Sequence, residues 1–163
     1  MNTIELRKTA DKIKDLINKV NSEEQREKLY DQLYEIEYNI DNLERALKRE
    51  ELRKQASETG TLTVSTMWEE YPDCKLSLNH YKADKSLCID IWNLEEGPIA
   101  RLTVCLNKKG LPENQSYIDD NNCPWALEFI ETYGLGKRIG IGFSGYCTYS
   151  LVEWNIDELN KYI

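Results

Sequence analysis

The chain has 163 residues, of which 40% are apolar and 31% charged, and a net charge of −8. No apolar run reaches the roughly 18 residues of a membrane span, and MNTIELRKT lacks the apolar core of a signal peptide, so a cytoplasmic protein without membrane contact is expected. Residues 1–57 carry 12 Lys/Arg against 13 Asp/Glu, a net of −1, whereas residues 58–163 carry 9 against 16, a net of −7. Such acidity disfavours direct nucleic-acid binding, which draws on Lys/Arg contacts to phosphate, and attracts a basic protein surface instead.

In chain order, a first helix is predicted from Asn2 or Thr3 to about Val20, with Leu6, Ala10, Ile13, Ile17 and Val20 at alternating spacings of four and three. Asn21 and Ser22 interrupt it, and Ser22-Glu23-Glu24-Gln25 has the form of a capping box that opens a second helix. Leu29, Leu33, Ile36, Ile40, Leu43 and Leu47 continue the ladder, and so short a connection makes the helices antiparallel neighbours. At 1.5 Å per residue the first spans about 25 Å and the second, to about Ala56, about 50 Å. Half of the second helix then lacks a partner, which leaves Ile40, Leu43, Leu47 and Leu52 to pack on a second copy as a homodimer, or on the chain's own second domain. Tyr30, Tyr34 and Tyr38 stand beside this seam and are read as packing.

Gly60 stops the helix, and the hydrophobic period switches from near 3.6 to two. Leu62/Val64, Leu76/Leu78/His80, Leu87/Ile89/Ile91 and Ala100/Leu102/Val104/Leu106 predict an antiparallel meander of four strands. Turns are expected at Tyr71-Pro72-Asp73, Ala83-Asp84-Lys85 and Glu96-Gly97-Pro98, and a loop over residues 107–115. Pro124 and Gly134 bracket a helix of about ten residues, followed by a glycine-rich turn, a last strand ending near Trp154 and a closing helical turn. The fold class is α+β: a helical hairpin or coiled coil over residues 1–57, then an acidic domain over residues 58–163 with a small antiparallel sheet and one packed helix.

Five cysteines form no C-x-x-C pair and His80 is the sole histidine, so no metal site and no cofactor are expected. Cys123, at the mouth of the predicted helix, is the one candidate nucleophile, because a helix N-terminus favours a thiolate. The alternative for this segment is that residues 119–122 cap the helix and brace the loop before it. Gly140-Ile141-Gly142-Phe143-Ser144-Gly145 lacks both the Lys-Ser/Thr and the following helix of a phosphate loop and reads as a bulge or hairpin.

Leu102-Thr103-Val104, Tyr117-Ile118-Asp119-Asp120-Asn121-Asn122, Pro124-Trp125 and Ser144-Gly145-Tyr146-Cys147-Thr148-Tyr149 carry a resemblance over residues 99–154. They resemble an uncharacterised domain family of small phage, plasmid and gut-bacterial proteins, some associated with inhibition of CRISPR nucleases. Cys105 and Ser150 stand where the family pattern has Asn and Pro, and the family has no agreed catalytic residues to carry over. The resemblance implies a non-enzymatic anti-defence protein in the cytoplasm of a host bacterium, inhibiting a CRISPR-type nuclease through its basic nucleic-acid-binding surface. The expected partner-binding residues are Glu69, Glu70, Asp73, Glu95, Glu96, Asp119, Asp120, Tyr146 and Tyr149. The alternatives are a coiled-coil structural or adaptor protein and a cysteine-dependent enzyme.

Overall fold

The computed structural model describes residues 2–163. The chain divides between Glu51 and Leu52, earlier than the boundary expected after Ser57 and inside the second helix.

The first unit is a helix pair. Helix α1 (Thr3–Ile17) opens on a capping box in which Asn2 Oδ1 accepts from the Glu5 N–H at 3.0 Å, and Glu5 Oε2 accepts from the Asn2 N–H at 3.2 Å. It stops short of the expected Val20, where the Lys19 N–H tightens to an i→i−3 bond with Leu16 O at 2.9 Å. Helix α2 (Glu23–Thr59) follows, and Arg26 Nη2 holds the connection by donating to Val20 O at 2.8 Å. Ala10, Ile13 and Ile17 pack on Leu33, with Leu29 and Ile36 alongside. Lys14–Glu37 (2.8 Å) and Arg7–Glu44 are ion pairs between exposed groups and contribute little. Asn2→Ala is therefore expected to lower the stability of this pair by about 1 kcal/mol, read as an earlier helical melt by circular dichroism.

The unpartnered seam is narrower than the ladder suggests. Ile40 is buried within the helix pair, and Leu52 packs on the core of the second unit; only Leu43 and Leu47 remain exposed, Leu47 at 57%. Tyr30, Tyr34 and Tyr38 are exposed rather than packed. Tyr30 and Tyr34 sit one residue beyond the seam positions Leu29 and Leu33, and Tyr38 lies two residues from both Ile36 and Ile40; at 3.6 residues per turn one residue is a rotation of about 100°.

The second unit begins with the last turns of α2, where Leu52 and Ala56 join the core, and Gly60 ends the helix at φ 70°. Two four-stranded antiparallel sheets follow in place of the single sheet expected. The first is the predicted meander, β1 (Leu62–Ser65), β2 (Glu70–His80), β3 (Leu87–Asn93) and β4 (Gly97–Arg101). The second has the order β5-β6-β8-β7, with β5 (Thr103–Val104), β6 (Gln115–Ile118), β7 (Gly136–Ser144) and β8 (Cys147–Trp154). The predicted fourth strand breaks at Leu102, whose N–H still bonds Ile89 O in the first sheet while its carbonyl accepts from Asp119 N–H at 2.8 Å. Thr103 then pairs with Ile118, and its hydroxyl accepts from the Ile89 N–H at 3.0 Å.

Helix α3 (Ala126–Tyr133) ends at Gly134, left-handed at φ 65°, as expected. Ala126, Phe129, Ile130 and Tyr133 enter the core, and the Tyr133 hydroxyl donates to Thr63 O (2.9 Å) and accepts from Thr63 N–H (3.0 Å), which ties α3 to β1. Helix α4 (Ile156–Leu159) and a 3-10 turn (Asn160–Tyr162) close the domain by burying Leu159 and Tyr162. Gly142 keeps β7 clear of the Tyr117 ring, since a Cβ at that position would lie 2.3 Å from Tyr117 Cε1.

Candidate functional site

Five of the predicted carboxylates meet at one end of the first sheet. The expected turn at Tyr71-Pro72-Asp73 is instead a bulge inside β2: Leu62 pairs with Cys74 and Val64 with Tyr71, so β2 has one residue more than β1 across this interval. Asp73 absorbs the distortion with φ 54°, a conformation open to aspartate. The true reversal, residues 66–69, is organised by the Thr66 hydroxyl, which donates to Glu69 O at 2.8 Å and accepts from Trp68 and Glu69 N–H at 3.3 and 3.0 Å. Met67 and Trp68 occupy its tip, and Trp68 is 91% exposed.

The β3–β4 turn lies at the same end of the sheet because Cys74 and Asn93 are paired. Buried Asn93 is the clasp between the two turns. Its Oδ1 accepts from the Glu95 and Glu96 N–H groups, each at 2.9 Å, and its Nδ2 donates to Pro72 O. The Leu94 N–H reaches Asp73 O at 3.2 Å. Glu69, Glu70, Asp73, Glu95 and Glu96 are thus all exposed around Met67, Trp68 and Leu94, and residues 65–74 and 93–97 contain no Lys or Arg. Tyr71 donates to Glu69 Oε2 at 3.0 Å, and this bond to a carboxylate, with the charge of Glu96 nearby, pushes the phenol above its ordinary pKa.

The remaining predicted residues lie elsewhere. Asp119 and Asp120 follow β6 and are half-buried: Asp119 accepts from the Asn122 side chain at 2.9 and 3.0 Å, and Asp120 Oδ2 accepts from Ser150 N–H at 3.1 Å. They brace the loop and the sheet but do not cap α3, whose first turn has no side-chain cap. Tyr146 is fully exposed at the β7–β8 turn, while Tyr149 is half-buried on β8 and its phenol is pushed up by burial and by the neighbouring Cys147. Leu43, Leu47 and Ile40 belong to the helix pair and Leu52 to the core, as described. Met67, Trp68 and Leu94 were missed by the sequence reading, yet two large apolar side chains placed directly before Glu69-Glu70 and one before Glu95-Glu96 were a readable signal for exposed turn residues.

Cys123 is buried outside α3, its thiol 3.8 Å from Arg101 O, and burial together with the charge of Asp119 pushes its pKa up, the reverse of helix-end activation. Cys74 is raised chiefly by burial as well, whereas Cys147 is exposed. Limited alkylation near neutral pH is accordingly expected to label Cys147 first and to reach Cys74 and Cys123 only after denaturation, as read by peptide mass spectrometry. Gly140, Gly142 and their neighbours are strand and turn, with no helix after them. Among the described residues no three His, Cys, Asp or Glu side chains gather in a metal-binding cluster, and no helix is long and apolar enough to cross a membrane.

Residues 75–163 match the family described as Domain of unknown function (DUF4313). No curated protein and no solved structure matches the chain.

Proposed function

Because the chain belongs to the DUF4313 family, a family of unknown function, we propose that it is a non-enzymatic binding protein whose second unit offers the acidic end of its first sheet to a basic protein surface. One observation carries the reading: Glu69, Glu70, Asp73, Glu95 and Glu96 converge with no basic residue among them, around exposed Met67, Trp68 and Leu94. The carboxylates attract and orient the partner, and the apolar tip supplies an anchor that burial at an interface would reward.

The finer form of the proposal is inhibition. A rigid acidic end occupying the basic groove in which a nuclease holds nucleic acid would exclude the substrate by charge and by volume, and the resemblance over residues 99–154 favours a CRISPR-type nuclease of the host as that partner. Binding of the full chain to a panel of purified RNA-guided nucleases, measured at low and at high salt, tests both forms. The expected result is capture of at least one nuclease that weakens as salt rises and that competes with guide or target nucleic acid. Absence of any salt-sensitive capture overturns the proposal. The exposed Leu43 and Leu47 support the adaptor reading as the second choice, in which the helix pair does the binding; Leu43→Lys/Leu47→Lys would then abolish capture and charge reversal at the sheet end would not.

A further inference from the structure

We propose that the Tyr30–Tyr34–Tyr38 row on α2 is a docking face for a basic amphipathic helix of a partner protein. The row lies within the first unit, and its three side chains are 54%, 72% and 59% exposed. Helix stability does not call for them, because tyrosine forms helix less readily than the Lys28, Gln32 and Glu35 that stand at neighbouring exposed positions.

The residues that share this direction are all acidic. Positions seven apart on a helix differ by only about 20° in direction. Glu23 is thus aligned with Tyr30, Glu27 and Asp41 with Tyr34, and Asp31 with Tyr38, each carboxylate exposed. Between Glu23 and Asp41 the stripe holds tyrosines and carboxylates and no other residue type, over a length of about 27 Å.

Charge complementarity selects the occupant. The cations bordering the stripe are already committed: Arg26 Nη2 donates to Val20 O, Lys14 pairs with Glu37, and Arg45 pairs with Asp41 at 2.6 Å. Among the described residues no ion pair reaches Glu23, Glu27 or Asp31. Spaced four apart, these three repel one another along the helix, and arginine or lysine from a partner relieves that repulsion. The same cations stack favourably over tyrosine rings. A second copy meeting the stripe with its own would instead set four carboxylates against four. Shape makes the partner a helix: side chains at i, i+4 and i+8 form a ridge that fits the groove between the ridges of another helix. This face is separate from the acidic end of the first sheet, and either can fail without the other.

The probe is a fluorescent synthetic helix of about 18 residues, the length of the stripe, with leucine and arginine along one face. Fluorescence anisotropy with the full chain is expected to show saturable binding that weakens as salt rises, and no binding when glutamate replaces arginine in the peptide. Tyr34→Ser/Tyr38→Ser is expected to weaken binding by at least about tenfold with an unchanged circular dichroism spectrum, the loss of an interface anchor. Reversal of Glu69, Glu70, Glu95 and Glu96 to lysine is expected to leave it intact. In the unmutated chain the bound peptide is expected to protect Tyr30, Tyr34 and Tyr38 from nitration by tetranitromethane, while exposed Tyr146 still reacts, as read by peptide mass spectrometry. Absence of saturable binding, equal binding of the glutamate peptide, binding lost on reversal at the sheet end but kept in the tyrosine variant, or unprotected tyrosines would each overturn the assignment.

Discussion

Trp154→Ala is expected to destabilise the second unit by about 3–5 kcal/mol, the range for removing a large aromatic side chain from a core. The ring is buried to 3% exposure at the end of β8. Its Nε1–H donates to the hydroxyl of fully buried Ser116 at 2.7 Å, and its main-chain N–H donates to Asn114 O at 2.8 Å. The neighbouring strand is shaped around it: a Cβ at Gly136 would lie 3.2 Å from Trp154 Cε3 and 2.8 Å from Val152 Cγ1. Relaxation into the vacated space is therefore limited, because β7 and β8 are paired from Gly136 to Ser144, with Gly136 directly opposite Trp154. Trp154→Phe separates the two contributions: most of the volume is kept, the Ser116 hydroxyl loses its donor, and a loss of about 1–3 kcal/mol is expected. Urea denaturation followed by fluorescence of the remaining tryptophans measures both. A loss below about 1 kcal/mol for Trp154→Ala, the typical effect of an unremarkable substitution, would show that the ring is not the keystone of the second sheet.

Reversing Glu69, Glu70, Glu95 and Glu96 to lysine together is expected to slow association with a basic partner by about 10²–10³-fold at low salt, the span between steered and unsteered encounter. Stability should change little, since all four side chains are exposed and the hydrogen bonds lost, Tyr71 to Glu69 and Ser65 to Glu70, lie at the surface. Asn93 holds Glu95 and Glu96 through their main-chain N–H groups, so the turn itself does not depend on the carboxylates. Trp68→Ala tests the apolar contribution: as a central anchor it would cost about 2 kcal/mol of binding and chiefly speed dissociation. Asp119→Asn/Asp120→Asn is the discriminating control, because these half-buried groups brace residues 119–122 and Ser150. If that control lost affinity while the fourfold reversal kept it, the acidic end of the first sheet would not be the site.

Much of the architecture was legible where local physics decides it. The four-three ladder from Leu6 to Ile40 specifies two helices with matched apolar faces, and fifteen residues in α1 can cover only part of the thirty-seven in α2. Period-two alternation located the meander, and Gly134, with its left-handed φ, ended α3 where the sequence placed the stop. The misses are places where a residue's partner lies far along the chain. Alternation runs on through Leu102 and Leu106, but the Leu102 carbonyl is taken by Asp119, so the strand changes sheets. Pro72 and Asp73 read as a turn, yet the pairing of Cys74 with Asn93 keeps the strand going and leaves a bulge.

The candidate site divides in the same way. Composition alone determined that the second unit is acidic and that Glu69-Glu70 and Glu95-Glu96 are surface pairs, because charged side chains stay solvated unless a partner offsets their burial. Only the tertiary structure decided which carboxylates share a surface. Register brings two turns to one end of a sheet, and Asn93 joins them through groups separated by some twenty residues, whereas Asp119 and Asp120, no less acidic in sequence, are spent on internal hydrogen bonds. Likewise the ladder foretold a helix pair, but whether Ile40, Leu43, Leu47 and Leu52 were left open depended on what lay beside each. Periodicity records which face a side chain is on; long-range packing decides what that face meets.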